Sequence, residues 1–200
     1  MNILLAIIIG YLLGNINGPY LLGKLFKGID IRDKGTSNPG ATNAMIVMGW
    51  KIGALSFLID MLKAASAIWI VKYLTGSTDL SVLAGVMAMV GHIFPVFMGF
   101  KGGKGVASLL GIMLGLSGYI FIILGITVII GAFITNYLYW GELLMLILFP
   151  VAAYLLGYSN ITVLLIVAAC LFSAYKLREN LFRTLKGTEQ SVSDVFFKKK

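Results

Sequence analysis

Between Gly105 and Tyr139 the chain carries no formal charge, and this is one of several long apolar runs. Others extend from Met1 to Leu22, Ile52 to Val71, Leu80 to Phe100, Leu143 to Gly157 and Ile161 to Tyr175. A helix needs about 20 mostly apolar residues to cross the hydrocarbon of a bilayer. Apolar residues make up 59% of the 200 and charged residues 12%, with a mean hydropathy of +0.95. Soluble domains sit near about 45–50% and 25%. A soluble globule of this size cannot hide so much apolar surface, and a disordered chain does not contain it. The runs predict an all-α membrane protein.

Charge placement sets the number and direction of the spans. The chain has 16 Lys and Arg against 8 Asp and Glu. Lys24, Lys27, Arg32, Lys34 and Lys51 fall after the first run, and Lys101 and Lys104 after the third. Lys176, Arg178, Arg183, Lys186, Lys198, Lys199 and Lys200 follow the last. Basic loops favour the cytoplasmic side. All three segments share that side only if Gly105–Tyr139 crosses twice, breaking at Leu116-Ser117-Gly118. The expectation is seven transmembrane helices, N-terminus outside and C-terminus cytoplasmic, with a short, sheltered fourth span. Residues 1–186 then form a single integral membrane domain, and 187–200 a polar, flexible cytoplasmic tail. The first run lacks a basic leader and reads as a retained span. No broken helix pair is expected at mid-membrane.

Glycine spacing is read as packing. Gly10, Gly14 and Gly18 recur every fourth residue, as do Gly111 and Gly115, and small residues at this spacing let helix backbones approach closely. One cysteine, Cys170, excludes an intrachain disulfide and a cysteine-based zinc site. One histidine, His92, excludes a histidine-cluster metal site, so no metal and no cofactor is expected. His92 reads more readily as a structural group. Asp60 and Lys63, at i and i+3 within a span, read as a self-neutralising pair that holds neighbouring spans.

Two loops have the composition of anion sites. From Gly35 to Asn43 nearly every residue is small, hydroxylated, amide-bearing or turn-forming. Thr36, Ser37, Asn38, Gly40, Thr42 and Asn43 can offer a phosphate N–H groups and short donors, or simply form a flexible turn. The second loop is Lys101-Gly102-Gly103-Lys104-Gly105. It is not a P-loop, because Met98 stands where the first glycine is required and Gly105 follows the lysine. Gly102 and Gly103 would admit a phosphate near the backbone, with Lys101 and Lys104 supplying charge. His92 does not begin an HxxxxD box, since Phe97 holds the Asp position. After the last span, Lys176 to Lys186 reads as a short amphipathic helix with Leu177, Leu181 and Leu185 on one stripe and a stop at Gly187. Arg178 and Asn180 can reach a cytoplasmic site from it.

Three stretches taken in order resemble the bacterial seven-span acyl-phosphate:glycerol-3-phosphate acyltransferase family. They are Gly28-Ile-Asp-Ile-Arg32 with Gly35 to Asn43, Gly91 to Ala107, and Arg178-Glu-Asn-Leu181 with Leu185 to Glu189. Asp60 and Lys63 match the family's second-span pair. The resemblance implies transfer of a fatty acyl group from acyl phosphate to the 1-hydroxyl of glycerol 3-phosphate, within the bacterial cytoplasmic membrane. Lys104 and Asn180 would be catalytic. The first loop, Lys101, Gly102, Gly103 and Arg178 would bind phosphate, with His92, Asp60 and Lys63 in support. Partners would be the two substrates and membrane lipid, with no nucleic acid. The chain departs from the family at Ile46, commonly Arg, at Leu177, commonly His, and mildly at Thr36, usually Ser. Asn136 to Glu142 replaces a Ser-rich loop. Two other readings stand beside this one: a divergent paralogue with lost or altered activity that binds phosphate or lipid, and a small-anion transporter.

Overall fold

The computed structural model describes residues 2–196, and these residues form helices and loops with no strand. The helices are α1 Asn2–Gly14, α2 Gly18–Lys27, α3 Ala41–Met48, α4 Trp50–Thr75, α5 Thr78–Ile93, α6 Val106–Leu116, α7 Gly118–Thr135, α8 Leu138–Leu155, α9 Asn160–Leu185 and the short α10 Val192–Phe196. Six stretches are long and apolar enough to cross a membrane: Asn2–Lys27, Trp50–Thr75, Thr78–Met98, Gly118–Thr135, Leu138–Leu155 and Asn160–Leu185. The three terminal lysines, counted above among the basic residues after the last run, lie outside the described residues.

Local chemistry sets the boundaries. Ser77, Ser117 and Ser159 each cap a helix by accepting from the N–H three residues on. Gly76 closes α4 in the left-handed region at φ 65°, donating to the Lys72 carbonyl. Ser117 therefore divides the long apolar stretch at the predicted place. The last helix differs from expectation. The amphipathic segment is not a separate surface helix but the continuation of α9, ending at Leu185 ahead of Gly187 at φ 66°. Leu177 on its stripe is buried, while Leu185 is exposed.

The first span also differs, because it is broken. Asn15 and Ile16 close a last turn of α1, donating to Tyr11 and Leu13 carbonyls. Asn17 is then extended and caps α2, accepting from the Tyr20 N–H at 2.9 Å. Pro19 has no N–H to continue the ladder. The apolar run from Met1 to Leu22, expected as one span, is thus built from two helices.

The chain divides into two compact units at Leu116 and Ser117. In the first unit α1 packs on α5, and α6 on α4. The glycine reading holds there. A Cβ on Gly10 or Gly14 would overlap the Ala84 or Ala88 carbonyl of α5, and one on Gly111 would overlap the Met61 carbonyl of α4. Helix α6 has 11 residues, a rise of roughly 16 Å against about 30 Å of hydrocarbon. Ser108 through Met113 are buried, so the short helix is sheltered by its neighbours. In the second unit α7 packs on α8 and α8 on α9. Residues after α9 meet the α7–α8 turn: Val192 N–H donates to the Asn136 carbonyl at 2.8 Å, and Ser193 N–H to Asn136 Oδ1 at 3.1 Å.

Candidate active site

The first loop is folded by its own polar side chains. Gly28, at φ 64°, ends α2. The Asp30 carboxylate accepts from Arg32 backbone N–H at 3.0 Å and is gripped by the guanidinium, Nε at 3.0 Å and Nη2 at 2.7 Å. Hydrogen bonding to Arg32 holds the Asp30 carboxyl below its ordinary pKa of 3.8. Asn43 is buried and braces the rest. Its Oδ1 accepts from Thr36 N–H at 2.8 Å, and its Nδ2 donates to the carbonyls of Ile31 at 3.1 Å and Lys34 at 3.0 Å. A Cβ on Gly35 would overlap Asn43 Oδ1, and Gly35 sits at φ 59°. Around this brace Ser37 is exposed at φ 58°, while Thr36, Asn38, Gly40 and Thr42 are half-buried. Gly40 leads into α3, and no side chain caps that helix.

The second loop folds back on the end of α5. Gly102 N–H donates to the Ile93 carbonyl at 3.0 Å and Gly103 N–H to the His92 carbonyl at 3.2 Å. A Cβ on Gly102 would overlap the His92 carbonyl, and one on Gly103 would overlap the His92 ring. Close packing on α5 thus accounts for both glycines. Lys101 is exposed and Lys104 half-buried.

The two loops meet. Arg32 Nη1 donates to the Met98 carbonyl at 2.7 Å, and its guanidinium lies 5.3 Å from the Tyr20 ring centroid. Asn15 Oδ1 accepts from Val96 N–H at 2.7 Å, and Asn17 Nδ2 donates to the Pro39 carbonyl at 3.1 Å. The break in the first span therefore carries both basic loops at one end of the first unit. Beneath them lie Asp60, Lys63 and His92, all buried: Lys63 Nζ is 2.9 Å from Asp60 Oδ1 and 2.8 Å from His92 Nδ1.

Arg178 and Asn180 belong to the second unit and have their own partners. Arg178 is exposed, its guanidinium 3.7 Å from the Tyr175 ring centroid and donating to the Tyr175 carbonyl at 3.0 Å. Asn180 Nδ2 donates to Glu189 Oε1 at 2.8 Å, while Arg183 Nε donates to Glu189 Oε2 at 2.6 Å. Glu189 thereby ties the segment after α9 back to its last turns. Among the departures, Leu177 is buried and Ile46 half-buried on α3.

Sequence reasoning passed over Asn15, Asn17 and the Asp30–Arg32 pair. A signal was present: amides inside an apolar run, followed by Gly18-Pro19, mark backbone that must find partners away from water.

Comparison with known proteins is consistent across the chain. The model of the glycerol-3-phosphate acyltransferase family matches residues 4–187. A glycerol-3-phosphate acyltransferase of Agrobacterium fabrum is 38% identical over 94% of this chain and 91% of the relative. One from Thermotoga petrophila is 39% identical, over 93% of this chain and 94% of the relative. The crystal structure of PlsY, an integral membrane glycerol 3-phosphate acyltransferase in its glycerol 3-phosphate form, matches with a TM-score of 0.90 at 31% identity. That match covers 99% of this chain and 100% of the other. Its lysophosphatidic acid form matches with a TM-score of 0.88. The apolar helices and these neighbours make this a multi-pass membrane protein, and the chain belongs to the glycerol-3-phosphate acyltransferase family.

Proposed function

We propose that the chain transfers a fatty acyl group from acyl phosphate to the 1-hydroxyl of glycerol 3-phosphate, giving lysophosphatidic acid and inorganic phosphate. The observation that carries this reading is the junction of the two basic loops through Asn15, Asn17 and Arg32. Two anionic substrates need adjoining polar, basic segments, and the acyl chain needs lipid beside them.

The donor is a mixed anhydride, already activated, so no nucleophilic side chain is required. The glycerol oxygen attacks the acyl carbonyl, a C–O bond forms, and the bond to phosphate breaks as inorganic phosphate leaves. The hydroxyl proton passes to a substrate phosphate oxygen. Lys104 offsets the charge that develops on the transferring group, and Asn180 contributes a hydrogen bond. Thr36, Ser37, Asn38, Gly40 and Thr42, with Lys101 and Arg178, hold phosphate. Asn43, Gly102 and Gly103 shape the loops that carry these groups. Held together, the reactants gain most of the remaining acceleration from proximity. On this reading residues 1–186 work as one membrane domain of seven spans. Its N-terminus lies outside and its active face is the cytoplasmic side of a bacterial cytoplasmic membrane.

The test is turnover by the purified chain in lipid mesophase, given palmitoyl phosphate and labelled glycerol 3-phosphate. Labelled lysophosphatidic acid is expected, and Lys104→Ala is expected to lower kcat/KM by at least about 100-fold. No product from the folded wild-type chain would overturn the proposal, and an active Lys104→Ala variant would remove Lys104 from the mechanism.

A further inference from the structure

The break in the first span and the glycine loop converge on Asp60, Lys63 and His92. The turn that closes α1 ends with the carbonyl of Ile16, and α2 opens with the N–H of Gly18. Backbone groups released by a break inside a span must be satisfied by protein. Lys63 Nζ donates to the Ile16 carbonyl, and Asp60 Oδ1 accepts from Gly18 N–H at 3.1 Å. The signs match the helix ends, a cation at the C-terminal carbonyl and an anion at the N-terminal amide. A pair that served only to neutralise itself along α4 would not need this polarity.

The same ammonium reaches the second loop. Its hydrogens go to Ile16 O, Asp60 Oδ1 and His92 Nδ1. An ammonium only donates, so Nδ1 accepts and the ring proton is assigned to Nε2. That edge of the ring packs against Gly103, where a Cβ would overlap Nε2, and the His92 carbonyl accepts from Gly103 N–H. Ser108, in the first turn of α6, donates to the Asp60 carbonyl at 3.3 Å. The segment from Gly103 to Ser108, which includes Lys104, is thus registered to the broken span by one buried cluster.

We infer that Asp60, Lys63 and His92 are positioning residues for the acyl transfer. They hold the two halves of the first span apart at a fixed offset and set the pose of Gly103 and Lys104 against that break. This rests on the acyltransferase reading for its kinetic part and on structure alone for its physical part.

The experiment compares Asp60→Asn, Lys63→Met and His92→Gln with wild type as full-length purified protein in detergent and lipid mesophase. Amide hydrogen exchange is followed over residues 99–105, together with kcat and both KM values. Exchange at Gly102 and Gly103 is expected to quicken. Turnover is expected to fall by at least about tenfold in kcat, with each KM within about threefold of wild type. If Lys63→Met does not fold, His92→Gln, which leaves both charges in place, takes the same two measurements. Unchanged exchange at Gly102 and Gly103 overturns the inference whatever happens to turnover, as does a raised KM with unchanged kcat. An inactive wild type would sink the acyltransferase reading alone, since the exchange result would still decide the physical part.

Discussion

Asn43 and Asp30 show how much of the first loop is spent on holding itself. Loop composition marked the stretch from Gly35 to Asn43 as polar and turn-rich, but composition does not separate a side chain that braces such a loop from one that faces a ligand. Asn43 turns its amide inward onto Thr36, Ile31 and Lys34, while Ser37 faces outward. Asp30 anchors Arg32, and Arg32 ties the first loop to the second at Met98. Because the carboxyl's folded pKa lies below its ordinary value, its stabilisation is full above the unfolded pKa and is lost as pH falls through the folded one. A charge-assisted bond of this kind contributes about 1.5–3 kcal/mol. Wild type is therefore expected to unfold at a higher temperature than Asp30→Asn at pH 6. The gap should close as pH drops through and below the carboxylate range. Thermal unfolding in neutral detergent across that range reads this directly, and a pH-independent gap would assign the stabilisation elsewhere.

At the scale of elements, the length of the apolar runs found the long helices, and glycine spacing found two of the faces where they touch. They missed the break after Gly14 because apolarity continues through it; the interruption is written in Asn17 and Pro19, whose effect depends on partners from α4. Close approach is what distinguishes one glycine from another. Gly14 lies against the Ala88 backbone of α5, whereas a Cβ on Gly125 in α7 would meet nothing within 4 Å. Backbone cannot yield as a side-chain tip can, so Gly14→Ala is expected to destabilise by about 1–3 kcal/mol. Gly125→Ala is expected to be neutral or to stabilise by up to about 1 kcal/mol, since alanine orders a helix at lower entropic cost. A lower unfolding temperature for Gly14→Ala and an unchanged or higher one for Gly125→Ala are the expected result, and equal losses at both sites would mean that glycine serves flexibility instead of contact.

At the scale of the whole molecule, the decisive element is α6. Its 11 residues are too short to cross alone, and six other stretches have the length and apolarity to do so. Charge supplies the argument that length does not. If α6 does not complete a crossing, the basic residues after α9 fall on the side opposite Lys24, Lys27 and Arg32, and the positive side of the protein is divided. If the loop before α6 and the turn at Ser117 together complete it, the basic residues after the first span, after α5 and after α9 share one face among the described residues. Sheltering makes this physically acceptable, because Ser108 through Met113 are buried against protein and need no full bilayer thickness of their own. The prediction is read from single cysteines placed on a Cys170→Ala background at Lys27, Tyr73 and Lys186. A membrane-impermeant maleimide applied to intact cells should label Tyr73→Cys, whose position is 90% exposed. It should reach Lys27→Cys and Lys186→Cys only after permeabilisation. Labelling of Lys186→Cys but not Lys27→Cys from outside would establish an even number of spans. Arg178 and Asn180 would then lie across the membrane from Lys104, and the proposed division of catalytic labour would fail with the topology.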